Sequence, residues 1–411
     1  MIKATRKEQR PVVLLGGLNI VRALGMAKIP VIVASSERRT PSMASRHCTG
    51  TLELPPLGTT ASSREAVVET LTRAGRRLAA RHGAPVPLFY DNDDRLALVQ
   101  DYRAALAPHF ALLLNEPALG DALLDKSLFQ ALAERRALPV PRRIDWDALD
   151  AESGPVLIKP KVRTAWEHSG VRQQLFGGEG KARVFGSGRA VRADALVRQF
   201  AGQLAFQEYV PGGDDAIWSF HGFAAPGGEL LEWFVGRKIR TFPALTGDSS
   251  YLRLARDDGL VALGRDIAAR LPLAGVFKMD FKRSAATGRF YLLEINTRFN
   301  LWHYLGARNG VNLPRVAYEF LTEGRRPDRS DAQTRYRWLS LGLDWSACRQ
   351  ARARGELTLA AWLLSLLRAP KVYDLFAWTD PMPFARYLSA RLRRVPRGLT
   401  RRFSRWLSTA S

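Results

Sequence analysis

Between residues 11 and 115 the chain alternates short apolar runs with amphipathic stretches, and this alternation constrains the fold more than any other feature. Residues 12–15, 31–33 and 88–90 read as strands, and residues 63–80 repeat their apolar positions with a helical period. Strands joined through helices run parallel, because a parallel pair needs a crossover connection. A parallel-sheet α/β domain over residues 1–117 is therefore expected. Gly16-Gly17 follows the first strand. Without a full G-x-G-x-x-G it reads as a tight strand-to-helix turn, with nucleotide binding the second reading.

The pattern changes near Pro117. A helix from about Asp121 to Arg136 is closed by the extended Leu138-Pro139-Val140-Pro141, which marks a domain boundary. Beyond it the sequence predicts a strand at 156–159, a polar Gly-rich passage at 164–188, a helix at 193–201 and a strand at 205–210 turned by Pro211-Gly212-Gly213. Two β-runs (217–224 and 230–239) and a helix (260–271) precede a hairpin over 276–296. With 411 residues, 46% of them hydrophobic, the chain has room for two or three packed domains. Cys48 and Cys348 imply no disulfide framework and suit a reducing compartment. The charged start of the chain does not resemble a signal peptide, and the longest apolar stretch, 357–367, is shorter than the roughly 20 residues that span a bilayer. A cytoplasmic setting is expected.

The hairpin carries the chemistry. In Phe277-Lys278-Met279-Asp280-Phe281-Lys282 apolar and polar residues alternate, so Lys278, Asp280 and Lys282 share one face and the other face is core. After a turn centred near Ala286 the return strand sets Glu294, Asn296 and Arg298 on one face and places Glu294 opposite Asp280. Phe290 and Leu292 are read as sharing the Glu294 face. Two carboxylates and an amide oxygen on adjacent strands form a hard-oxygen set suited to Mg²⁺ bridging nucleotide phosphates. An ordinary half-exposed hairpin is the competing reading.

Glu294-Ile295-Asn296-Thr297-Arg298 resembles the E-x-N-x-R signature of the ATP-grasp superfamily. The order of the other parts strengthens the resemblance: Asp125-Lys126, Ile158-Lys159-Pro160, Gln207 through Gly213, Asp280, then the signature. Gly236-Arg237-Lys238 and Gly310-Val311-Asn312-Leu313-Pro314 are similar to the predicted carboxylate-amine ligase branch, which includes D-aspartate ligases. The resemblance spans about residues 10–325, and more loosely 374–383. It implies a pre-ATP-grasp Rossmann-like domain (1–117), a two-part ATP-grasp core (118–204 and 205–330) and a basic helical C-terminal extension (331–411). The expected fold class is thus α/β and α+β.

The resemblance also implies site residues. Lys126 and Lys159 match the two lysines that grip the ATP phosphates. Gln207, Glu208, Tyr209 and Val210 match the adenine clamp, Glu208 and Val210 through their main chains. Asp214, with Asp215 as the alternative, would accept from the ribose hydroxyls. Asp280, Glu294 and Asn296 would hold Mg²⁺, with Mn²⁺ as an alternative ion. Lys278 could neutralise a tetrahedral oxyanion. Arg298 could hold a transferring phosphoryl group or a substrate carboxylate, and Arg237 and Lys238 could serve the same end. The flexible loop that covers phosphate in the family is usually small and Gly-rich, whereas residues 161–166 read Lys-Val-Arg-Thr-Ala-Trp, with Gly177, Gly178 and Gly180 following. The implied reaction is phosphoryl transfer to a small-molecule carboxylate and attack of an amine on the acyl phosphate, which needs no Ser, Cys or His nucleophile. His303 reads as structural. A carboxylate kinase or a ligase with a thiol acceptor is the alternative chemistry.

The formal net charge of +23 points to anionic partners without choosing among them. From Arg386 onward there are eight Arg and no acidic residue. Apolar residues at 384, 388, 392, 395, 399, 403 and 407 have amphipathic-helix spacing, and Pro396 should kink the helix. Residues 384–411 could lie on an anionic membrane surface, making the protein peripheral at the inner membrane, or dock on the body of the protein. Aromatic and basic residues interleave at 401–406 without a nucleic-acid motif, so a nucleic-acid partner is not expected, and a basic nucleic-acid or membrane-surface binding protein without ligase activity is the alternative from a different class. Oligomeric state is left open.

Overall fold

The computed structural model describes residues 9–161, 174–176, 182–244 and 247–394. The Val162–Trp166 part of the unusual loop, Gly177, Gly178, Gly180 and the Pro396 kink lie outside them.

The first sheet contains β1 (Val12–Leu15), β2 (Val31–Ser35), β3 (Cys48–Glu53), β4 (Val86–Tyr90) and β5 (Phe110–Ala111). Its order is β3-β2-β1-β4-β5, with every pair parallel. β1 is buried along its whole length, which explains the unbroken apolar run in the sequence. The chain leaves β1 through Gly16. A Cβ there would approach Leu14 to 2.8 Å and the Asp91 carboxyl carbon to 3.1 Å, so glycine lets β1 and the end of β4 close together.

The expected helix over 121–136 is two helices, Pro117–Leu124 and Lys126–Arg135. Asp125 divides them. Its backbone is extended, and its Oδ1 accepts from the amides of Ser127 and Leu128, capping the second helix. The helix expected at 193–201 is likewise split into Gly188–Ala193 and Ala195–Phe200, with Asp194 capping the second.

A second sheet is formed by β6 (Arg143–Ile144), β7 (Val156–Pro160), β8 (Arg183–Phe185) and β9 (Leu204–Glu208), in antiparallel order β6-β9-β7-β8. One face packs Val156, Ile158, Leu204 and Phe206 into a local core. Leu157, Lys159, Ala205 and Gln207 occupy the other face, with Lys159 opposite Ala205 and Leu157 opposite Gln207.

The third sheet contains β10 (Ile217–Ala225), β11 (Glu229–Phe242), β12 (Asp248–Ala255), β13 (Gly275–Arg283), β14 (Phe290–Asn296), β15 (Arg337–Leu339) and β16 (Lys371–Tyr373). Its order is β14-β13-β10-β11-β12-β15-β16. The C-terminal region therefore adds two strands at one side of the large sheet, as well as helices. One face of β10, β11 and β13 (Phe220, Val235, Phe277, Met279, Phe281) packs under the helices around residues 117–135 and 258–270. At one end of the opposite face, Phe223, Phe234 and Leu252 share a core with β1, β2 and the helices Trp302–Arg308 and Leu313–Glu323. Further along that face the residues become polar.

The tail helix, Met382–Arg394, starts against the body. Phe384 packs edge-on to Phe376, at 5.6 Å between ring centroids. Just before it, Asp380 forms a buried ion pair with Arg22 (3.0 Å) and accepts from Ser45 Oγ and the Arg46 amide. Leu388 and Leu392, farther along the helix, are exposed. The docked reading thus describes the first turn but not Leu388 and Leu392, and the stripe positions 395–407 lie outside the described residues. Among the described residues no helix is long and apolar enough to cross a membrane.

Candidate active site

β13 and β14 pair so that Asp280 lies opposite Glu294 and Lys278 opposite Asn296. The register slips immediately afterwards, with Phe281 facing Leu292 and Leu293 left over as a bulge. The bulge corrects one expectation. Leu292 turns into the core with Ile295 and does not share the face of Glu294. The extra residue lets a strand with an apolar beginning present two polar residues at its end.

Asp280 is nearly enclosed. Lys278 Nζ approaches its Oδ2 at 2.5 Å, and Ser219 Oγ, directly across on β10, donates to its Oδ1. Glu294 remains solvent-accessible and accepts from Asn296 Nδ2 at 3.1 Å. Surrounding protein disfavours the Glu294 anion. Lys278, Lys126 and the hydrogen bond from Asn296 outweigh this and hold its carboxyl below the usual range.

Two further lysines converge on this carboxylate from other elements. Lys126 opens the helix capped by Asp125, and Lys159 sits near the end of β7 on the face away from the local core. Enclosure by protein, then repulsion from Lys126, lowers the Lys159 pKa from 10.5 to about 8 against the opposing pull of Glu294. Lys126, Lys159 and Glu294 therefore act on one another across three elements.

The segment linking the second and third sheets is also ordered around a lysine. Lys282 Nζ sits 4.3 Å from the Tyr209 ring centroid. Burial lowers its pKa to about 8, with Asp214 opposing. Asp214 Oδ2 accepts from the Thr241 amide at 2.7 Å. Asp215 instead binds Arg237 Nη2 at 2.8 Å. Gln207 lies on the Lys159 face of β9. The Glu208 amide donates to the Arg142 carbonyl, and its Oε1 accepts from the Arg142 amide. Of the two main chains expected in an adenine clamp, the Glu208 amide is thus engaged, while β9 ends at Glu208 and Val210 lies beyond it, buried.

Two expected site residues are placed differently from the sequence reading. Arg237 pairs with Trp218, on the opposite face of the sheet from Asp280, and stacks over that indole at 5.1 Å. Strand alternation removes it from the carboxylate group and leaves Lys238 on the same face as Gly236 and Ser219. Arg298 has its fork filled: Nε and Nη2 go to the Asp93 carboxylate, Nη1 to the Asp91 carbonyl and Nη2 also to Asn296 Oδ1. It ties the end of β14 to the carboxyl end of β4, where Phe299 N also donates to Tyr90 O. This leaves no free fork for a substrate carboxylate.

Sequence reasoning missed Ser219, Asp93 and His221. Ser219 is legible only as the partner of Asp280 once β10 and β13 are paired. Asp91-Asn92-Asp93-Asp94 did carry a signal, being acidic and at the carboxyl end of a parallel strand, where open α/β sheets bind ligands. His221 lies opposite Lys278 and is fully buried, with His303 at 6.0 Å between ring centroids. Asn300 N donates to His303 Nδ1, which puts the imidazole proton on Nε2. Both His221 ring nitrogens, His303 Nε2, Asn300 Nδ2 and Thr297 Oγ1 have no hydrogen-bond partner among the described residues. Burial, together with Lys278, keeps both imidazoles neutral, His303 with a pKa of about 3.

No family model and no curated protein matches the sequence. Solved structures do share its architecture. N5-carboxyaminoimidazole synthetase from Staphylococcus aureus aligns at TM-score 0.58 and 9% identity, over 80% of this chain and 81% of that one. The biotin carboxylase domain of 2-oxoglutarate carboxylase from Hydrogenobacter thermophilus, solved with MgADP, ADP and bicarbonate, aligns at 0.56 and 14%, over 80% and 73%. An L-amino acid ligase from Bacillus licheniformis aligns at 0.52 and 12%, over 77% and 75%. The chain has the ATP-grasp fold. At these identities the likeness establishes the ATP-grasp architecture, and the chemistry has to be argued from the residues.

Proposed function

We propose that this protein is an ATP- and Mg²⁺-dependent ligase that activates a small-molecule carboxylate as an acyl phosphate and joins it to an amine, releasing ADP and phosphate. The observation that carries the reading is the direct pairing of Asp280 with Glu294 beside Asn296, with Lys126 and Lys159 brought to the same carboxylate. We place the division of the chain near residues 117, 204 and 330, so that the phosphate lysines come from the first part of the core and the metal carboxylates from the second.

The donor set fits the cofactors. Among the described residues no group of three or more His, Cys, Asp or Glu could hold a metal. A cation held by Asp280, Glu294 and Asn296 oxygens would complete its shell with phosphate and water, the manner in which Mg²⁺ is usually bound. When bound, MgATP supplies the transferable phosphoryl group and the metal charge that offsets the phosphates. Lys159 and Lys126 hold the phosphates as fixed point charges. The Glu208 carbonyl and Val210 main chain receive the purine, and Asp214 lies close by for the ribose. Lys278, held by Asp280, would offset charge developing on the acyl group, and Lys238 lines the same face. Arg298 acts as a positioning residue, keeping β14 against Asp93.

Gly236-Arg237-Lys238 and residues 310–314 favour the carboxylate-amine ligase branch, D-aspartate ligase-like enzymes included. Gly236 has a local reason as well, since a Cβ there would come within 2.2 Å of the Trp302 ring. The test is phosphate release from ATP and Mg²⁺ with arrayed amino acids and amines, alone and in pairs. Release that requires both an acid and an amine supports the proposal. ADP formed with an acid alone, its phosphoryl group kept on the acid, or phosphate released with a thiol in place of the amine, replaces it with a kinase or thioester-forming ligase, and no ADP with any combination overturns it.

A further inference from the structure

Thirteen large hydrophobic residues are exposed among the described residues, and ten of them fall between Leu341 and Leu392. The most concentrated group is on the helix Leu359–Leu367, whose sequence LAAWLLSLL has no charged residue. Its orientation is fixed by polar contacts. Trp362 Nε1 donates to Asp344 Oδ2 at 2.8 Å, Arg240 Nη2 donates to Ser365 Oγ at 3.1 Å, and Tyr251 OH donates to the Ser365 carbonyl at 2.8 Å. Asp344 is itself fully buried and bound by both Arg240 and Ser250.

With Trp362 and Ser365 facing inward, Leu363, Leu364 and Leu367 must point out, and they are 49, 58 and 81% exposed. The preceding helix, Leu341–Ala353, extends the surface. Trp345 contacts Trp362, at 5.3 Å between centroids, and is 41% exposed, and Leu341, one turn earlier, is 50% exposed. Isolated exposed leucines are ordinary, but a contiguous set held outward by buried polar anchors marks an interaction surface.

Charge identifies the occupant. Arg349 follows Trp345 by one turn, and Arg352 and Arg368 flank the apolar helix; all three are exposed and none forms an ion pair among the described residues. The one exposed acid nearby, Glu356, is bound to Arg354 at 2.8 Å. The chain after Asp380 adds eight Arg and no acid. Leucine and tryptophan inside a cationic rim suit the interfacial zone of a bilayer whose headgroups are anionic. We infer that the surface formed by residues 341–368 seats the protein on an anionic phospholipid surface, with Leu363, Leu364 and Leu367 entering the headgroup boundary.

The full chain and the triple variant Leu363→Gln, Leu364→Gln, Leu367→Gln are compared by sedimentation with vesicles of phosphatidylcholine alone and of phosphatidylcholine with phosphatidylglycerol. At interfacial depth each leucine contributes roughly a factor of five to partitioning. The variant should therefore bind mixed vesicles about a hundredfold more weakly, with melting temperature unchanged because the anchors Trp362 and Ser365 are kept. Wild-type binding should require phosphatidylglycerol and weaken with salt. Equal binding by both proteins, no binding by wild type, or equal binding to both vesicle types overturns the inference. So does a wild-type dimer that the triple variant converts to monomer, since the surface would then belong to a second copy of the chain.

Discussion

Lys159 offers the sharpest test of the site, because its environment sets a proton inventory. Free of nucleotide, its pKa is lowered from 10.5 to about 8 by enclosure and by Lys126. Phosphates brought beside it favour the cation, so above pH 8 nucleotide binding must take up a proton. If the bound lysine returns to its ordinary range, the association constant falls about tenfold per pH unit from pH 8 towards 10.5. At pH about 9 binding would draw in roughly 0.9 proton. The displacement corresponds to roughly 3 kcal/mol of penalty on the free cation, which the nucleotide relieves.

The nucleotide-free protein moves in the opposite sense. Between pH 8 and 10.5 the unfolded lysine holds a proton that the folded one has lost, so the stability tied to Lys159 rises across this window and is lost as pH falls through 8. The assay is calorimetric titration with MgATP in buffers of different ionisation enthalpy, on wild type, Lys159→Met and Lys282→Met. The last variant is needed because Lys282 also titrates at about 8. Lys159→Met should bind weakly at neutral pH and show no proton uptake. Affinity independent of pH in wild type, or uptake that survives in Lys159→Met and disappears in Lys282→Met, would refute the assignment.

Three further outcomes are expected. Glu294→Gln should reduce phosphate release by at least about a hundredfold at an unchanged melting temperature, whereas Asp280→Ala should also destabilise the fold by about 3 kcal/mol, because it leaves Lys278 without its partner; equal melting of the two variants would contradict the burial argument. Arg22→Met breaks a pair whose side chains are only 1 and 2% exposed, and chemical denaturation should show a loss of about 3 to 5 kcal/mol, while a loss under about 1 kcal/mol would mean that the segment around Asp380 is not docked in solution. Nitrogen-15 spectra should show His303 neutral with its proton on Nε2 down to pH about 5, and a midpoint near 6 would show that the ring is not enclosed.

What could be read from the sequence was what depends on near neighbours. Alternation in residues 277–282 identified the face of Lys278 and Asp280, and the length of the turn set Asp280 against Glu294. The slip at Leu293 could not be read, because a bulge conserves the local pattern of apolar residues while exchanging their faces. Asp125 was legible as part of a motif but not as a helix break, since its capping role depends on an extended backbone within an otherwise helical run. Arg298 shows the limit most clearly. Its sequence context marks it as a site residue, yet its carboxylate partner lies 205 positions away, and no local period encodes such a contact.

The net charge is a poor guide to the site for the same reason. Many of the arginines behind the +23 are held at the surface in pairs such as Arg142 with Glu152 and Arg326 with Glu229. Such exposed pairs shape solubility more than recognition. At the proposed nucleotide site the balance is much smaller: Lys126, Lys159 and Lys278 against Asp280 and Glu294, a formal excess of one positive charge. That near-neutrality is informative. Three lysines without the carboxylates would repel one another, as the contribution that Lys126 adds to burial in lowering Lys159 already shows, and two carboxylates without the lysines would resist ionising together. Each set offsets the charge of the other in the absence of ligand, so a phosphate chain and its cation can enter by exchanging internal partners for external ones. Lys278 should then be the residue most altered by binding, because its bond to Asp280 occupies an oxygen that a metal would take.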